Sequence, residues 1–217
     1  MKNILLIGDS IRKGYDSFVQ KKLEGRANVF FSEENARFAQ YTLRYLGIWK
    51  EDMKLTADID VVHWNCGLWD VLHQGIGVSV NDGETEGTPV PIFHGADGQT
   101  YEKDPLTPPE FYAYLIKRIH GTIRQLYPKA AVIFATTTPA VPEYATWGAY
   151  RPNAEIEQFN QIARDVLPPL GSRINELGRF AAEHCRDLHA DWVHYTEEGY
   201  SLLADEIVSM LDAEGLL

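Results

Sequence analysis

The sequence has few of the features that typify nucleic-acid-binding, membrane or disulfide-stabilised proteins. Only two of its 217 residues are cysteines, Cys66 and Cys185. Their spacing is not that of a metal site, so two free thiols in a reducing compartment are expected. The 20 Lys and Arg residues are outnumbered by 31 Asp and Glu, which leaves a formal net charge of -11. This acidity argues against nucleic acid as a partner and gives no attraction to anionic lipid.

Long hydrophobic runs are also missing. No stretch approaches the ~20 apolar residues that a membrane-spanning helix needs. The N-terminal run between Lys2 and Gly8 is too short for the core of a signal peptide and reads better as a buried first strand. We therefore expect a cytoplasmic protein without a membrane partner.

What the sequence does contain is an alternation of strand and helix patterns that indicates an α/β fold. A length of 217 residues with 45% hydrophobic content is typical of one domain with one core, here residues 1–217. Short apolar runs predict five strands, at Asn3–Ile7, Asn28–Phe31, Asp60–Asn65, Ala131–Thr137 and Arg173–Asn175. Helical spacing predicts helices at Arg12–Leu23, Arg37–Trp49, Pro109–Tyr127, Ala154–Val166, Gly178–Cys185 and Glu197–Leu211. Such alternation predicts a parallel sheet covered on both faces, with a ligand site at the carboxyl ends of the strands.

One segment, at about 75–108, interrupts this alternation. Gly, Pro, Asp and Thr dominate it and hydrophobic periodicity is lost. We expect a long loop inserted in the domain, which folds over the site as a lid or rim, because loops of this length in a compact domain are usually functional or mobile. A surface loop without a functional role is the alternative.

The first candidate for chemistry is Ser10, in the tripeptide Gly8-Asp9-Ser10 between the first predicted strand and the first predicted helix. A serine at this turn lies at the open edge of the sheet. The nearby helix N-terminus has unpaired N–H groups that favour negative charge, which suits an attacking alkoxide. Taken alone, the tripeptide favours the alternative that Ser10 is only a helix N-cap.

The second candidate is the pair Asp191 and His194, just before the last predicted helix. A nucleophilic serine needs a base to take its proton, and that base needs a carboxylate to hold its tautomer. If the segment is a turn, a separation of three residues lets both side chains reach the same edge of the sheet. Alone, an Asp-x-x-His pair is a weak signal. Together with Ser10, the two blocks have the residue types of a catalytic triad.

The two blocks resemble those of the SGNH hydrolase superfamily, also called the GDSL esterase/lipase family. Residues 4–11, Ile-Leu-Leu-Ile-Gly-Asp-Ser-Ile, are similar to its first block. Residues 191–194, Asp-Trp-Val-His, followed by Glu198-Gly199-Tyr200, are similar to its last block. The resemblance implies a flavodoxin-like three-layer α/β/α sandwich with a five-stranded parallel sheet. It also implies that Ser10 is the nucleophile and that Asp191 and His194 complete the triad.

The middle two blocks depart from the family pattern, and both concern the oxyanion hole. In the second block, Asn35-Ala36-Arg37-Phe38-Ala39-Gln40 places Gln40 where the family has Gly, a change that leaves the backbone N–H in place. In the third, Gly67-Leu68-Trp69-Asp70 has Trp69 where the family has the oxyanion-hole Asn. We expect the N–H groups of Ser10 and Gln40 to serve as donors, with Asn65 as a third. The Trp69 indole N–H is the alternative to Asn65, and a packing role for both is a further one.

Several residues near these blocks are candidates for substrate binding. Arginine suits a carboxylate or sugar hydroxyl but also pairs with nearby acids, and aromatic faces at a site edge suit sugar rings or acyl chains. The candidates are Asp9, Arg12, Arg37, Trp69, Trp147 and Trp192.

Metal and nucleotide sites are not indicated. The spacings of His63 and His73, and of His184, His189 and His194, are not the i, i+4 spacing of a helical zinc pair. The turn from Gly8 to Gly14 lacks both the G-x-G-x-x-G spacing and the lysine of a P-loop. We expect neither a metal nor a cofactor.

The resemblance implies a serine ester hydrolase that works through an acyl-enzyme. A short acyl group, such as acetyl, on a carbohydrate or other small ester is the preferred substrate, because polar and aromatic segments surround the expected site. An acyltransferase with the same triad and a non-catalytic carbohydrate-binding relative are the alternatives. The oligomeric state is left open.

Overall fold

A computed structural model describes residues 1–77, 91–95, 98–141 and 149–217. The strands are β1 (Lys2–Ile7), β2 (Ala27–Phe31), β3 (Val61–Trp64), β4 (His73–Gly77), β5 (Ile92–His94), β6 (Thr100–Pro105), β7 (Ala131–Ala135), β8 (Ala149–Tyr150) and β9 (Arg173–Asn175). The α-helices are α1 (Ser10–Lys22), α2 (Ala39–Met53), α3 (Pro109–Leu126), α4 (Asn153–Val166), α5 (Leu177–His184) and α6 (Glu197–Ala213).

The main sheet has five parallel strands in the order β2-β1-β3-β7-β9. Helix α1 packs on α6 and α5 on α6, whereas α2 packs on α3 and α3 on α4, so the helices form two layers with the sheet between them. This is the flavodoxin-like strand order, in which the chain reverses direction across the sheet between β1 and β3. The predicted three-layer α/β/α sandwich with a five-stranded parallel sheet is confirmed.

The two central strands are buried on both faces, which explains their continuous apolar sequence. Residues Ile4 to Ile7 of β1 are at most 5% exposed, and all four residues of β3 are buried. A parallel strand covered by helices on both sides is uniformly hydrophobic instead of alternating. Trp64 at the end of β3 packs edge-on against Phe134 of β7, with ring centroids 4.8 Å apart.

The segment at about 75–108 is where the observed secondary structure departs most from the expected one. Its described parts do not form an irregular loop: they contain the end of β4 and the strands β5 and β6, which belong to a second, antiparallel sheet in the order β5-β6-β4-β8. Residues 78–90 and 96–97 of the expected lid lie outside the described residues. Short strands with irregular register and many Gly residues lack the period-two pattern that would have indicated them.

Helices α1 and α6 approach closely at Gly14, and this contact ties the first sequence block to the last. A Cβ atom built on Gly14 would lie 2.0 Å from Cζ of Tyr200, so the tyrosine ring rests on the bare backbone of α1. Among the described residues, no helix is both long and apolar enough to cross a membrane.

We predict that Gly14→Ala lowers the free energy of unfolding by about 1–3 kcal/mol, because the new methyl group overlaps the Tyr200 ring. Urea denaturation followed by circular dichroism measures the change. Gly47→Ala is the matched control, since Gly47 is also inside a helix and a Cβ there meets nothing within 4 Å. That variant should gain up to about 1 kcal/mol from helix propensity. Equal effects at the two positions would contradict the close approach of α1 and α6.

Candidate active site

Ser10 is the first residue of α1 and directly follows the turn that leaves β1. The helix is capped by Asp9, whose Oδ1 accepts a hydrogen bond of 3.0 Å from the Ile11 N–H. Asp9 therefore takes the capping role that the sequence alone left open for Ser10. The Ser10 hydroxyl is left free for another partner at the carboxyl edge of the sheet.

That partner is His194. Its Nε2 atom lies 2.8 Å from Ser10 Oγ, although the two residues are 184 positions apart in the chain. Its other ring nitrogen, Nδ1, lies 2.7 Å from Oδ2 of Asp191. The structure thus joins the three side chains in one hydrogen-bonded series, and all three are only partly buried.

The loop that presents His194 is held by Asp191 itself. Its Oδ1 atom accepts hydrogen bonds of 2.8 Å from the backbone N–H groups of both Val193 and His194. Partial burial alone would raise the pKa of Asp191, but these N–H groups and the His194 side chain outweigh it and lower the pKa below its ordinary value. Asp191 is therefore a stable carboxylate at neutral pH and can orient the histidine ring.

Behind Ser10, the ends of β1 and β3 are joined through side chains. Asn65 is 5% exposed, and its Nδ2 atom donates a hydrogen bond of 3.1 Å to Oδ1 of Asp9. The amide lies against Gly8, where a Cβ atom would come within 1.7 Å of Asn65 Oδ1. Asp9 is fully buried, and desolvation raises its pKa despite the hydrogen bonds from Asn65 and Ile11. Asp9 holds the turn in this structure, and its predicted contact with substrate stays a prediction.

The second block reaches the same turn through its backbone. The Ala36 N–H donates to the Gly8 carbonyl at 3.0 Å, and α2 begins three residues later. Gln40 is the second residue of α2, so its backbone N–H has no acceptor within the helix. The Gln40 side chain is exposed. The structure therefore leaves this N–H available at the helix end beside the Ser10 turn.

Asp70 of the third block anchors that helix end. Both of its carboxylate oxygens lie 3.1 Å from the Ala39 backbone nitrogen, and Oδ1 also accepts from the Thr107 hydroxyl at 2.8 Å. Asp70 is fully buried, and desolvation raises its pKa to about 7 against these hydrogen bonds. It fixes α2 to the segment after β3.

The two arginines singled out from the sequence lie in very different places. The Arg12 guanidinium is 1% exposed and donates to Asp16 Oδ2 at 2.7 Å and to the Glu34 carbonyl. It connects α1 to the segment just before the second block, and the predicted substrate contact of Arg12 stays a prediction. Arg37 is exposed, has a positive φ of 50° and lies over the Tyr41 ring at 5.0 Å.

The predicted aromatic residues meet around an arginine that sequence reasoning missed. Trp69 and Trp192 are partly buried, and the guanidinium of Arg151 lies over both rings, with its Cζ atom 4.4 Å from the Trp192 centroid and 5.9 Å from that of Trp69. Trp69 packs against this side chain. Trp147, the third predicted aromatic residue, lies outside the described residues.

No group of three or more His, Cys, Asp or Glu side chains that could hold a metal ion occurs among the described residues. His63 is fully buried on β3, and desolvation lowers its pKa to about 4, which keeps it neutral. His73 instead pairs with Glu155 at 2.8 Å.

Several solved structures share this architecture. No protein-family model and no curated protein sequence matches the chain. Among solved structures, a lipase/acylhydrolase from Enterococcus faecalis is 17% identical with a TM-score of 0.68, covering 99% of this chain and 97% of that one. A member of the lipolytic protein G-D-S-L family from Veillonella parvula is 17% identical with a TM-score of 0.60, covering 98% and 99%. The acetyl xylan esterase AlAXEase is 15% identical with a TM-score of 0.62, covering 96% and 99%.

These similarities extend over nearly the full length of each chain. This chain shares the fold of these solved structures, and it is the fold that the resemblance of the first and last sequence blocks implies.

Two residues of the site carry no sequence signal of their own. Asp70 is the last residue of the third block, but nothing local shows that it is buried against α2, and Arg151 is a single arginine before a proline. Arg151 reaches the site because β8, which ends at Tyr150, pairs with β4, and β4 begins three residues after Asp70. The small antiparallel sheet could not be read from the sequence, and neither could the position of Arg151.

We predict that the free energy of unfolding of Asp70→Asn increases relative to that of the wild type as pH rises from about 4 to 7. A carboxyl group whose pKa rises from 3.8 to about 7 on folding stabilises the protein fully below pH 4 and loses that contribution as pH rises through 7. The expected change in the difference is at most about 4 kcal/mol. Urea denaturation of both proteins across this range measures it, and a difference that does not vary with pH would contradict the raised pKa.

Proposed function

We propose that this protein is a serine ester hydrolase that works through an acyl-enzyme. Ser10 is the nucleophile, His194 the general base and Asp191 the group that orients His194. The observation that carries the proposal is the series of hydrogen bonds from Ser10 Oγ through the His194 ring to Asp191 Oδ2, at 2.8 and 2.7 Å. Nucleophile, base and orienting carboxylate within hydrogen-bond reach are the arrangement that activates a serine hydroxyl.

The reaction follows from this geometry. Ser10 Oγ forms a bond to the ester carbonyl carbon as its proton passes to His194 Nε2, and the carbonyl π electrons move to oxygen. Collapse of the tetrahedral intermediate breaks the bond to the alcohol, which takes the proton from His194. Water then attacks the acyl-enzyme in the same way and releases the acid.

The oxyanion of the intermediate would be stabilised by the backbone N–H groups of Ser10 and Gln40, with the Asn65 amide as a third donor. Both N–H groups belong to the first turns of helices, where backbone donors lack intrahelical acceptors and negative charge is favoured. Asn65 Nδ2 has two hydrogens, and Asp9 accepts only one hydrogen bond from it.

The proposed substrate is a short acyl ester, such as an acetyl ester, of a carbohydrate or other small molecule. The partly buried rings of Trp69 and Trp192 at the carboxyl edge of the sheet suit a sugar ring. One of the structures with this fold is an acetyl xylan esterase, which agrees with this class without defining it.

We predict that the wild type hydrolyses p-nitrophenyl acetate with a burst and is labelled by a fluorophosphonate probe on Ser10. Ser10→Ala should show neither, because it lacks the oxygen that attacks the ester carbonyl and displaces fluoride from the probe. Mass spectrometry of the labelled peptide identifies the site. Ser17→Ala is the matched control, since Ser17 is exposed on the same helix and should behave as wild type. An inert, unlabelled wild type would overturn the proposal, and added sugars reveal any transfer to an acceptor other than water.

We predict that Asp191→Asn lowers kcat by about four orders of magnitude while the protein stays folded, because an amide stabilises the wrong histidine tautomer. Steady-state kinetics with the same ester measure the loss. Asp187→Asn changes an exposed aspartate four residues earlier and serves as the control. Similar activity of the two variants would show that Asp191 only shapes its loop.

A further inference from the structure

Arg151 is a buried cation that has no ionic partner in the part of the chain that the structure describes. Its side chain is 4% exposed, and its Nε atom donates a hydrogen bond to the Leu68 carbonyl. Its Nη1 atom is buried and has no hydrogen-bond partner among the residues that the structure describes. Within the same residues, no carboxylate is close enough to form an ion pair with it. Arg12, the other buried arginine near Ser10, differs because Asp16 neutralises it at 2.7 Å.

The surroundings of Arg151 come from three of the sequence blocks that build the site. Leu68 and Trp69 belong to the third block, and Trp192 stands between Asp191 and His194 in the last. The first block contributes Asp9, whose charge acts on the pKa of Arg151. Trp69 occupies the position where the resemblance places an oxyanion-hole asparagine, and the guanidinium lies over its ring.

The energetic cost of this arrangement indicates a ligand. A buried charge is usually paired, since removing it from water without a partner is expensive. Desolvation lowers the pKa of Arg151 to about 10, and a group with that pKa still carries its charge at neutral pH. Contacts with two aromatic faces and one carbonyl hold the guanidinium in place without neutralising it. The free protein therefore keeps a fixed positive charge that an anionic oxygen would satisfy.

We propose that Arg151 is a further catalytic residue, which binds the oxyanion of the tetrahedral intermediate in place of the asparagine that Trp69 replaces. This inference rests on the proposed function. A fixed donor that is unpaired in the free enzyme and paired only when negative charge develops stabilises the transition state selectively. Nη1 is buried in the free protein, so the proposal requires the partly exposed rings of Trp69 and Trp192 to shift when the ester binds, and the hydrogen bond then forms in the complex.

A carboxylate elsewhere on the substrate is a second source of the same charge. The two sources differ in timing, because a substrate carboxylate is present from the moment of binding, whereas the oxyanion forms only during reaction. A carboxylate partner would change KM for acidic esters alone. An oxyanion partner would change kcat for every ester, including a neutral one.

The test compares Arg151→Met, Arg151→Lys and the matched control Arg118→Met, in which an exposed arginine stacked on Tyr114 at 5.5 Å is removed far along α3. With neutral p-nitrophenyl acetate, Arg151→Met should lose roughly a hundred- to a thousandfold in kcat with KM nearly unchanged. Arg151→Lys should recover part of the loss, because it restores the charge without the planar guanidinium. Arg118→Met should match the wild type.

A second readout uses a tetrahedral adduct instead of turnover. Ser10 Oγ donates an electron pair to the boron of methylboronic acid, a B–O bond forms, the hydroxyl proton passes to His194, and the adduct carries a negative charge. Arg151→Met should weaken this binding, measured by calorimetry, by a factor similar to its loss in kcat. Circular dichroism and thermal melting establish that each variant is folded.

Three outcomes would overturn the inference. Unchanged kcat and boronate affinity in folded Arg151→Met would mean that the guanidinium only packs the two tryptophans. An effect confined to KM for p-nitrophenyl hemisuccinate would assign the charge to a substrate carboxylate. An inert wild type that the fluorophosphonate probe does not label would remove the proposed function, and the oxyanion role with it. Loss of kcat in Arg151→Met together with slower fluorophosphonate labelling, still on Ser10, would instead support the role of Arg151 and leave the serine mechanism intact, because the labelling reaction also develops negative charge on an oxygen.

Discussion

The close approach of β1 and β3 at Gly8 is the constraint on which the rest of the site depends. Asn65 lies against the bare Cα of Gly8 and donates to Asp9, so the two strand ends are joined just before Ser10. The same turn receives the Ala36 N–H on the Gly8 carbonyl. A side chain at Gly8 would push these segments apart. The proposed nucleophile, the helix cap and the second block therefore share one buried junction, at the point where ligands bind in sheets of this strand order.

Around that junction, the polar residues fall into a buried set that supports the helices and a partly exposed set at the candidate site. Asp9 and Asp70 accept hydrogen bonds and Arg12 donates them, and these contacts hold helices α1 and α2 in place. Ser10, His194 and Asp191 remain partly exposed at the edge, where a substrate can reach them. Arg151 belongs to neither set, because it is as buried as the structural group but has no ion-pair partner among the described residues. That mismatch between burial and pairing distinguishes it from Arg12.

The sequence predicted the main sheet well because its strands are buried on both faces and its helices are amphipathic. Residues 3–7, 131–135 and 197–211 lie inside elements whose observed ends differ from the predicted ones by no more than about two residues. The second sheet was missed because its strands are short and irregular in register, and their hydrogen bonds join segments that are far apart in sequence. The burial of Asp9 and Arg12 could not be predicted either, because proximity to Ser10 in sequence says nothing about burial.

By itself, the sequence determined the α/β class and the parallel sheet, because hydrophobic periodicity is a local property of the chain. The resemblance of its first and last blocks predicted Ser10, Asp191 and His194 as site residues. Only the tertiary structure decided which side chains meet. It placed His194 beside Ser10 across 184 residues, made Asp70 the anchor of α2 and brought Arg151 between Trp69 and Trp192. The physical reason is that burial, pairing and charge compensation depend on neighbours in space, which strand order and helix packing supply and local sequence does not.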